Sequence, residues 1–499
     1  FGFGSRVPGP RRRRRAWAAD EQEFRVGRSG PRGPPEGGVG LESDLRRLVQ
    51  DQPADYVEIN LEETMTTLIS FRGPVLDELG ESLAYGGNVR ALVRGGWGFV
   101  SFNRLEDLEG KVDLAIRQAR AVGERKGGKS SLAAVPVVHD KVTVPFGEDP
   151  RAVPLARKKD LLEGYNRQVL AFGPPIATSS VVYYDRFRKL RFANSDGTSI
   201  QQEKLDLGGA VRAIAVRDGQ TEMMALGFGS STSFDVARGL ETQIEDTCRR
   251  AAALLDAPVV EAGEYTVIVD PRLAGVFVHE AFGHLSEGDN VYENPNLQKV
   301  MAFGREFGGQ HLNIYDSGLT PGARGYIKYD DEGVPTEKTY LIREGKLVGR
   351  LHTRETAGKM GERPTGNARA LDYRFPPICR MRSTCIEGGD ASFEDMLKGI
   401  KRGVYVRESY GGETSGEMFT FTAGDAVMIR DGKPAEVVRN VTLTGNVFAT
   451  LKNIDMIGRD FTVPEGAGGC GKGAQAPLPT SMGSPHIRIQ KVILGGKAR

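Results

Sequence analysis

Apolar residues recur every three or four positions in several stretches of the chain, and this spacing predicts helices with one buried face. The predicted helices are a short one capped by Ser43, two over residues 105–122 and 155–170, and a long one from 233 or 235 to 255. Cys248 lies on the apolar stripe of the long helix. We therefore expect this cysteine to be part of a core.

Shorter runs rich in apolar and β-branched residues predict strands. They cover residues 56–61, 66–71, 180–184, 189–193, 199–207, 210–216, 265–269 and 486–494. Asp-Gly pairs between some of these runs, and two similar segments at 341–347 and 428–433, predict hairpins. The pattern predicts an α+β fold, in which a small N-terminal α/β domain precedes a β-rich, glycine-rich C-terminal domain.

Changes in composition divide the chain into four regions. Residues 1–41 contain a run of five arginines with scattered Gly and Pro and no hydrophobic period, and we interpret them as a disordered basic extension. A basic run can also bind nucleic acid or phosphate surfaces. The N-terminal α/β domain is predicted over residues 42–134, a middle α+β region over 135–258 and the C-terminal β-rich domain over 259–499.

Charge and cysteine content argue against several classes of protein, namely nucleic-acid-binding, membrane and disulfide-rich secreted proteins. The 67 Lys and Arg residues nearly balance 65 Asp and Glu residues, so no general attraction to nucleic acid or to an anionic membrane is expected. No stretch approaches the roughly 18 uncharged apolar residues that a membrane span requires. The four cysteines form no CxxC pair, and the first residues lack the apolar core of a secretory signal. We therefore expect a cytoplasmic protein without a disulfide framework.

One segment brings two histidines and a glutamate to the end of a predicted helix. Asp270 is a good N-cap and Pro271 suits the first helical position, so the helix should begin directly after the strand at 265–269. His279, Glu280 and His284 then follow near its C-terminal end.

The two histidines are five residues apart, one more than in the HExxH motif of zinc proteases, whose histidines share a helix face. In a regular helix five residues correspond to about 140° of rotation. His279 and His284 could still meet one metal if the helix contains a π-bulge, which Gly283 would ease, or if the helix ends and His284 leaves on a bend. A metal site and an ordinary pair of helix-end histidines both remain open on this spacing.

A catalytic zinc site needs three protein ligands and one open position. Cys470 is the strongest candidate for the third ligand, because glycines around it would let the backbone approach a metal closely. A nearby lysine would also favour the thiolate. The other interpretation is a glycine loop with an incidental cysteine.

Phosphate binding is the competing hypothesis. Residues 123–130 match the P-loop pattern GxxxxGK[ST], with Lys129 as its lysine. That loop must follow a strand and open a helix, whereas here it follows a predicted helix. Residues 466–472 nearly repeat the pattern and also contain GxGxxG, but two prolines shortly afterwards forbid a helix. Nucleotide binding is therefore disfavoured at both places.

Residues 279–289, HEAFGHLSEGD, resemble the HExxxH segment of the TldD/PmbA family of zinc metalloproteases. Further segments that resemble the family occur in order along the chain, at 194–198, 364–369, 411–413, 443–446, 455–458, 469–472 and 485–489. The resemblance spans about residues 42–497. Its most specific part is the HExxxH segment together with the late cysteine.

The resemblance implies an intracellular peptidase. By this resemblance His279, His284 and Cys470 bind zinc, Glu280 is the catalytic base, and the C-terminal region is the metallopeptidase domain. The chemistry is consistent, because the pKa of a zinc-bound water lies near neutrality and an adjacent carboxylate can take its proton during attack on an amide.

The resemblance also implies partners. Family members act on unfolded or short peptides, and paralogues without the motif are non-catalytic partners in a heterodimer. We therefore expect peptide substrates, held by addition to an exposed sheet edge, and a homodimer or a heterodimer with a PmbA-like paralogue. The alternative is a metal-stabilised scaffold subunit that cleaves nothing, which zinc content and peptide hydrolysis would distinguish.

Overall fold

The structure is a computed structural model that describes residues 38–125 and 130–495. The helices are α1 (Gly38–Val49), α2 (Leu108–Arg125), α3 (Leu155–Ala171), α4 (Glu241–Leu254), α5 (Pro271–Val278), α6 (Gly288–Glu293), α7 (Pro295–Val300), α8 (Arg354–Met360), α9 (Phe393–Leu397) and α10 (Val447–Lys452). The strands are β1 (Tyr56–Arg72), β2 (Val75–Val93), β3 (Gly96–Phe102), β4 (His139–Val142), β5 (Ile176–Asn194), β6 (Ser199–Arg217), β7 (Gln220–Ser230), β8 (Gly263–Val269), β9 (Ile314–Ser317), β10 (Lys338–Arg343), β11 (Lys346–Leu347), β12 (Ala368–Arg369), β13 (Ile378–Cys379), β14 (Ser383–Ile386), β15 (Arg402–Ser415), β16 (Met418–Arg430), β17 (Lys433–Val438), β18 (Thr442–Asn446), β19 (Ile454–Ile457), β20 (Cys470–Lys472), β21 (Gln475–Leu478), β22 (Ser481–Gly483) and β23 (Ile487–Gly495). The predicted α+β class is confirmed.

The N-terminal half is built on one sheet. Its strands run in the order β3-β2-β1-β5-β6, and both β4 and β7 pair with β6. Helices α3 and α4 pack against β5, β6 and β7, while α2 packs against β2 and β3. The predicted boundary at residue 134 lies between two sets of strands of this same sheet, because β1 pairs with β2 on one side and with β5 on the other. The division into four regions stays a prediction.

Several predicted short strands are parts of longer ones. Residues 56–61 and 66–71 both belong to β1, and the predicted pairs at 180–193 and 199–216 merge into β5 and β6. A polar residue that interrupts the sequence pattern can be satisfied across the sheet. Glu62 on β1, for example, is buried and accepts a hydrogen bond of 2.9 Å from Arg188 Nε on β5.

The helix predictions are confirmed with two corrections. Residues 105–122 and 155–170 correspond to α2 and α3, and Cys248 is buried on α4 as expected. The predicted helix from 233 or 235 to 255 is divided into a 3-10 turn (Phe234–Ala237) and α4, because Gly239 between them has a φ of +67°, which helical backbone does not adopt. In addition, α1 starts before the predicted cap at Ser43.

The C-terminal half contains a closed five-stranded barrel and a five-stranded sheet. The barrel order is β15-β8-β23-β18-β16, and pairing of β16 with β15 closes it. The separate sheet has the order β11-β10-β9-β14-β22. Both predicted hairpins are confirmed, as β10–β11 and β16–β17. Helix α5 contacts β15 of the barrel and β14 and β22 of the sheet, so its C-terminal end lies deep in the largest core.

Two sequence predictions fall largely or wholly outside the described residues. These are the basic extension, apart from the four residues that begin α1, and the P-loop lysine Lys129. Over the ranges 38–125 and 130–495, none of the helices has the length and apolar composition that a membrane span requires.

Candidate metal centre

The helix that leads into the site starts as its sequence predicts. Asp270 is the N-cap of α5, and its Oδ1 accepts a hydrogen bond of 2.8 Å from Leu273 N. Pro271 occupies the first helical position. The other carboxylate oxygen of Asp270 accepts a bond of 2.8 Å from Glu408 N on β15. The cap therefore also fixes the helix to the barrel.

The five-residue spacing of the histidines is accommodated by a π turn. Helix α5 passes at Val278 into a π-helical turn over residues 279–283, and His284 N donates to His279 O. A 3-10 turn over residues 284–286 follows. Because an i→i+5 bond joins the two histidines, they lie one turn apart on the same side. Of the two alternatives that the spacing left open, a π-bulge and a helix end, the structure has the π-bulge.

Gly283 has a different role from the one the sequence suggested. Its φ of −58° and ψ of −52° are ordinary helical values that any residue can adopt. A Cβ at this position would overlap the Met381 sulfur atom. A side chain at position 283 would therefore have to displace the buried side chain of Met381.

The structure brings together all three residues that the sequence proposed as metal ligands. One potential ligand atom from each of His279, His284 and Cys470 lies within 4.8 Å of the others. Cys470 Sγ is 3.3 Å from His284 Nε2, and the two imidazole centroids are 5.2 Å apart. His279 is completely buried, and within the described part of the chain neither of its ring nitrogens has a hydrogen-bond partner.

This donor set fits zinc. A buried polar group without a partner costs about 1–3 kcal/mol, and a bond to a metal would remove that cost at His279. Two imidazoles and one thiolate are preferred zinc ligands, and three protein ligands leave one position open. Burial alone would raise the pKa of the Cys470 thiol, but the imidazoles of His279 and His284 lower it to about 5.

Cys470 lies in the short hairpin β20–β21, and Arg380 binds both strands of this hairpin. Arg380 is fully buried, and its guanidinium donates to Cys470 O at 2.8 Å and to Gln475 O at 3.1 Å. These two carbonyls belong to the two strands of the hairpin. One side chain therefore fixes the strand that presents the sulfur atom.

The loop before Cys470 lies on the N-terminal sheet. Arg324 donates to Gly466 O at 2.5 Å and, through Nε, to Asp206 Oδ1 on β6 at 2.7 Å. A Cβ on Gly227 of β7 would lie only 3.1 Å from Gly466 Cα. The sheet therefore has a glycine, without a side chain, where the loop crosses it at Gly227. In this way the N-terminal half helps to position Cys470.

Glu280 lies beside the candidate ligands. Its carboxylate is 3.9 Å from His284 Nε2, and its side chain is 24% exposed. Burial raises the pKa of Glu280, against the opposing effect of His279 and His284. A carboxylate with a raised pKa, open to solvent and next to a metal site, suits a general base.

A second group of residues, which the sequence did not predict, lies behind His284. Glu287 is completely buried, and its Oε2 lies 3.2 Å from His284 Nδ1. Lys472 Nζ lies 2.9 Å from the same oxygen. Lys472 is two residues beyond Cys470 on β20, and alternate residues of a strand share a face, but the glycine-rich sequence did not predict a strand here. The lysine expected to favour the Cys470 thiolate is instead paired with carboxylates.

A cleft of about 660 Å³ opens in front of Glu280 and His284. Its walls include Asn294 and Leu297 near α7 on one side, and the end of β15 around Glu413 on the other. The candidate metal centre is therefore accessible to a ligand of peptide size.

The two phosphate-loop patterns do not have the required structural context. The first begins inside α2, so it follows a helix as the sequence indicated. The second ends at Lys472 on β20 and leads into β21, and Lys472 contacts Glu287 and Asp289. In the described residues around both patterns, a strand followed by a P-loop and a helix does not occur.

Comparison with known proteins identifies similar chains over most of the length. Models of the PmbA/TldA metallopeptidase family match in three parts, with domain 1 over residues 57–122, the central domain over 148–255 and the C-terminal domain over 262–496.

Individual relatives agree with these matches. A metalloprotease from Synechocystis sp. is 45% identical over 446 residues, which cover 89% of this chain and 96% of the relative. A zinc metalloprotease TldD homologue from Saccharolobus solfataricus is 30% identical over 418 residues, which cover 82% and 90%. The crystal structure of TldE from Thermococcus kodakarensis matches with a TM-score of 0.69 and 19% identity, over 92% of this chain and 100% of that one. The last similarity concerns the fold alone.

Proposed function

Because this chain belongs to the PmbA/TldD metallopeptidase family, we propose that it is a zinc-dependent peptidase that hydrolyses unfolded or short peptides in the cytoplasm. The observation that carries the proposal is the buried His279, whose ring nitrogens lack partners in the described chain and lie beside His284 and Cys470. These three residues would hold the zinc. When bound, zinc supplies Lewis-acid chemistry that acidifies water and polarises a carbonyl.

Glu280 has the position of the general base. It follows His279 directly in the sequence, is not needed as a ligand, and lines the cleft. Its carboxylate would accept a proton from the attacking water and later deliver it to the leaving amine. Burial supports this role because it raises the pKa of Glu280 towards the working range of a base.

An extended peptide could bind along the end of β15. This part of β15 pairs with β16 on one side only, because its parallel pairing with β8 covers residues 403–406 and no further in the described chain. Residues 412–414 face the cleft. Main-chain hydrogen bonds to a strand edge give affinity with little dependence on side chains, which suits unfolded substrates.

A second subunit is the partner we propose, either another copy or a PmbA-like paralogue. Strand β2 pairs with β3 only from Gly87 onwards, so within the described residues its first part is a free sheet edge. Leu79 and Leu83 are 42% and 53% exposed there, and exposed apolar edges favour association. Leu83→Asp should convert a dimer to a monomer in light scattering, and an unchanged dimer mass would contradict this surface.

The experiment that tests the catalytic proposal combines metal analysis with hydrolysis. The purified protein should contain about one zinc per chain and cleave an unstructured fluorogenic peptide. A chelator should abolish cleavage, and added zinc should restore it. Zinc without cleavage would favour a non-catalytic scaffold subunit, and absence of zinc would contradict the proposed metal site.

A further inference from the structure

The strand that presents Cys470 also presents a buried cation. Cys470 and Lys472 are alternate residues of β20, and alternate side chains of a strand project to the same face. Lys472 Nζ lies 2.9 Å from Glu287 Oε2 and 2.6 Å from Asp289 Oδ1, and it donates to Cys379 O at 3.1 Å. Lys472 therefore connects the strand that carries Cys470 with the segment that follows His284.

Glu287 transmits this contact to His284. It is completely buried, and its Oε2 is shared by Lys472, by His284 Nδ1 at 3.2 Å and by Asn290 Nδ2 at 3.2 Å. A carboxylate oxygen is a hydrogen-bond acceptor for a ring N–H. The Glu287 contact therefore engages His284 at Nδ1 and leaves the opposite nitrogen, Nε2, facing Cys470 Sγ at 3.3 Å.

We propose that Glu287 and Lys472 are positioning residues that fix the tautomer and orientation of His284 as a metal ligand. Glu287 accepts a hydrogen bond from the Nδ1 side of the ring, and Lys472 holds the buried carboxylate of Glu287 in place. The inference rests on the metal site of the proposed function. It adds that strand β20 supplies both the ligand Cys470 and Lys472, the residue that positions Glu287 against His284.

In this arrangement the contact between Glu287 and His284 should influence how tightly the site binds a metal. Carboxylates behind metal-bound histidines set ring orientation and basicity, and their loss typically lowers metal affinity about 10–100-fold. Glu287→Gln keeps the size of the side chain but introduces an amide group. The amide NH₂ can donate to Nδ1, which would place the ring proton on Nε2 and oppose metal binding.

The test is Co²⁺ binding to the metal-free full-length protein, measured by competition with a chelator of known affinity. The thiolate-to-cobalt charge-transfer band reports whether Cys470 is a ligand. We expect Glu287→Gln to weaken Co²⁺ binding about 10–100-fold and to alter the visible ligand-field bands. The matched control is Asp289→Asn, which also removes a carboxylate from Lys472 but does not touch His284, and it should stay within about threefold of the parent.

A purely structural role predicts a different result. In that case Glu287→Gln and Asp289→Asn would both lower the thermal stability of the metal-free protein, and the folded fraction would bind Co²⁺ as tightly as the parent. Equal affinities of Glu287→Gln and the parent would overturn the proposal while leaving the metal site itself intact. If the parent protein binds no Co²⁺, the proposed function fails instead.

Lys472 provides the second variant if Glu287→Gln does not fold. Lys472→Met removes the cation and should also weaken Co²⁺ binding by about tenfold or more, whereas Lys472→Arg keeps the charge and should recover part of the affinity. Parental affinity in Lys472→Met would refute the role of the lysine. Failure of both Glu287→Gln and Lys472→Met to fold would mark the residues as structural and would also overturn the proposal.

Discussion

Replacing Glu280 by glutamine separates chemistry from metal binding at this site. Gln has the same shape as Glu but cannot accept a proton, and Glu280 is not among the three grouped ligands. In the described chain Glu280 forms one ion pair, with His284 at 3.9 Å, and both side chains are partly exposed. We therefore expect a change in unfolding free energy within about 1 kcal/mol and unchanged zinc content.

The expected loss of activity follows from the role of a base. General base catalysis contributes roughly 10²–10⁴-fold, which corresponds to about 3–5 kcal/mol of transition-state stabilisation. Glu280→Gln should therefore lower kcat/KM by at least about 10²-fold. Peptide affinity should persist, because the sheet edge at residues 412–414 is untouched.

The assay compares Glu280→Gln with His284→Gln. For each variant we would measure zinc by mass spectrometry, peptide affinity by fluorescence anisotropy and cleavage of the same peptide. His284→Gln should lose zinc and activity together, since His284 is one of three candidate ligands. Parental cleavage by zinc-loaded Glu280→Gln would refute the assignment of the base.

Two further predictions concern the ligand set and the π turn. Cys470→Ser should lose most of the zinc, because a hydroxyl is a much weaker ligand than a thiolate for this metal; full zinc occupancy in this variant would contradict the assignment. Gly283→Ala should lower the unfolding free energy by about 1–3 kcal/mol through overpacking, since its Cβ would overlap Met381. The control is Gly164→Ala on α3, where a Cβ would have no neighbour within 4 Å and chemical unfolding should show no loss; equal effects of the two variants would contradict the packing argument.

Local signals predicted the beginning of the site well. The cap at Asp270 and the proline at position 271 depend on residues within one turn of each other. Such local hydrogen-bonding rules can be applied without knowing what packs around the segment. The thiol of Cys470 and the glycines around it also made this residue a candidate metal ligand. The sequence could not show that it contacts the histidines, because it lies far from them along the chain.

Features that depend on tertiary contacts were not predictable in the same way. The long strand β1 contains the polar residue Glu62, which looks like an interruption until Arg188 on β5 is seen to pair with it. Glu287 looks like a surface residue for the same reason, although Lys472, His284 and the surrounding segments bury it completely. A buried charge is recognisable only together with its partner.

The five-residue spacing shows how local and tertiary factors combine at one site. The bond from His284 N to His279 O makes five residues equal to one turn. The sulfur atom of Met381 occupies the place where any side chain at Gly283 would begin. The packing around the π turn therefore depends both on the HExxxH segment and on a residue almost a hundred positions later. The spacing alone allowed both a π-bulge and a helix end, and the structure has the first.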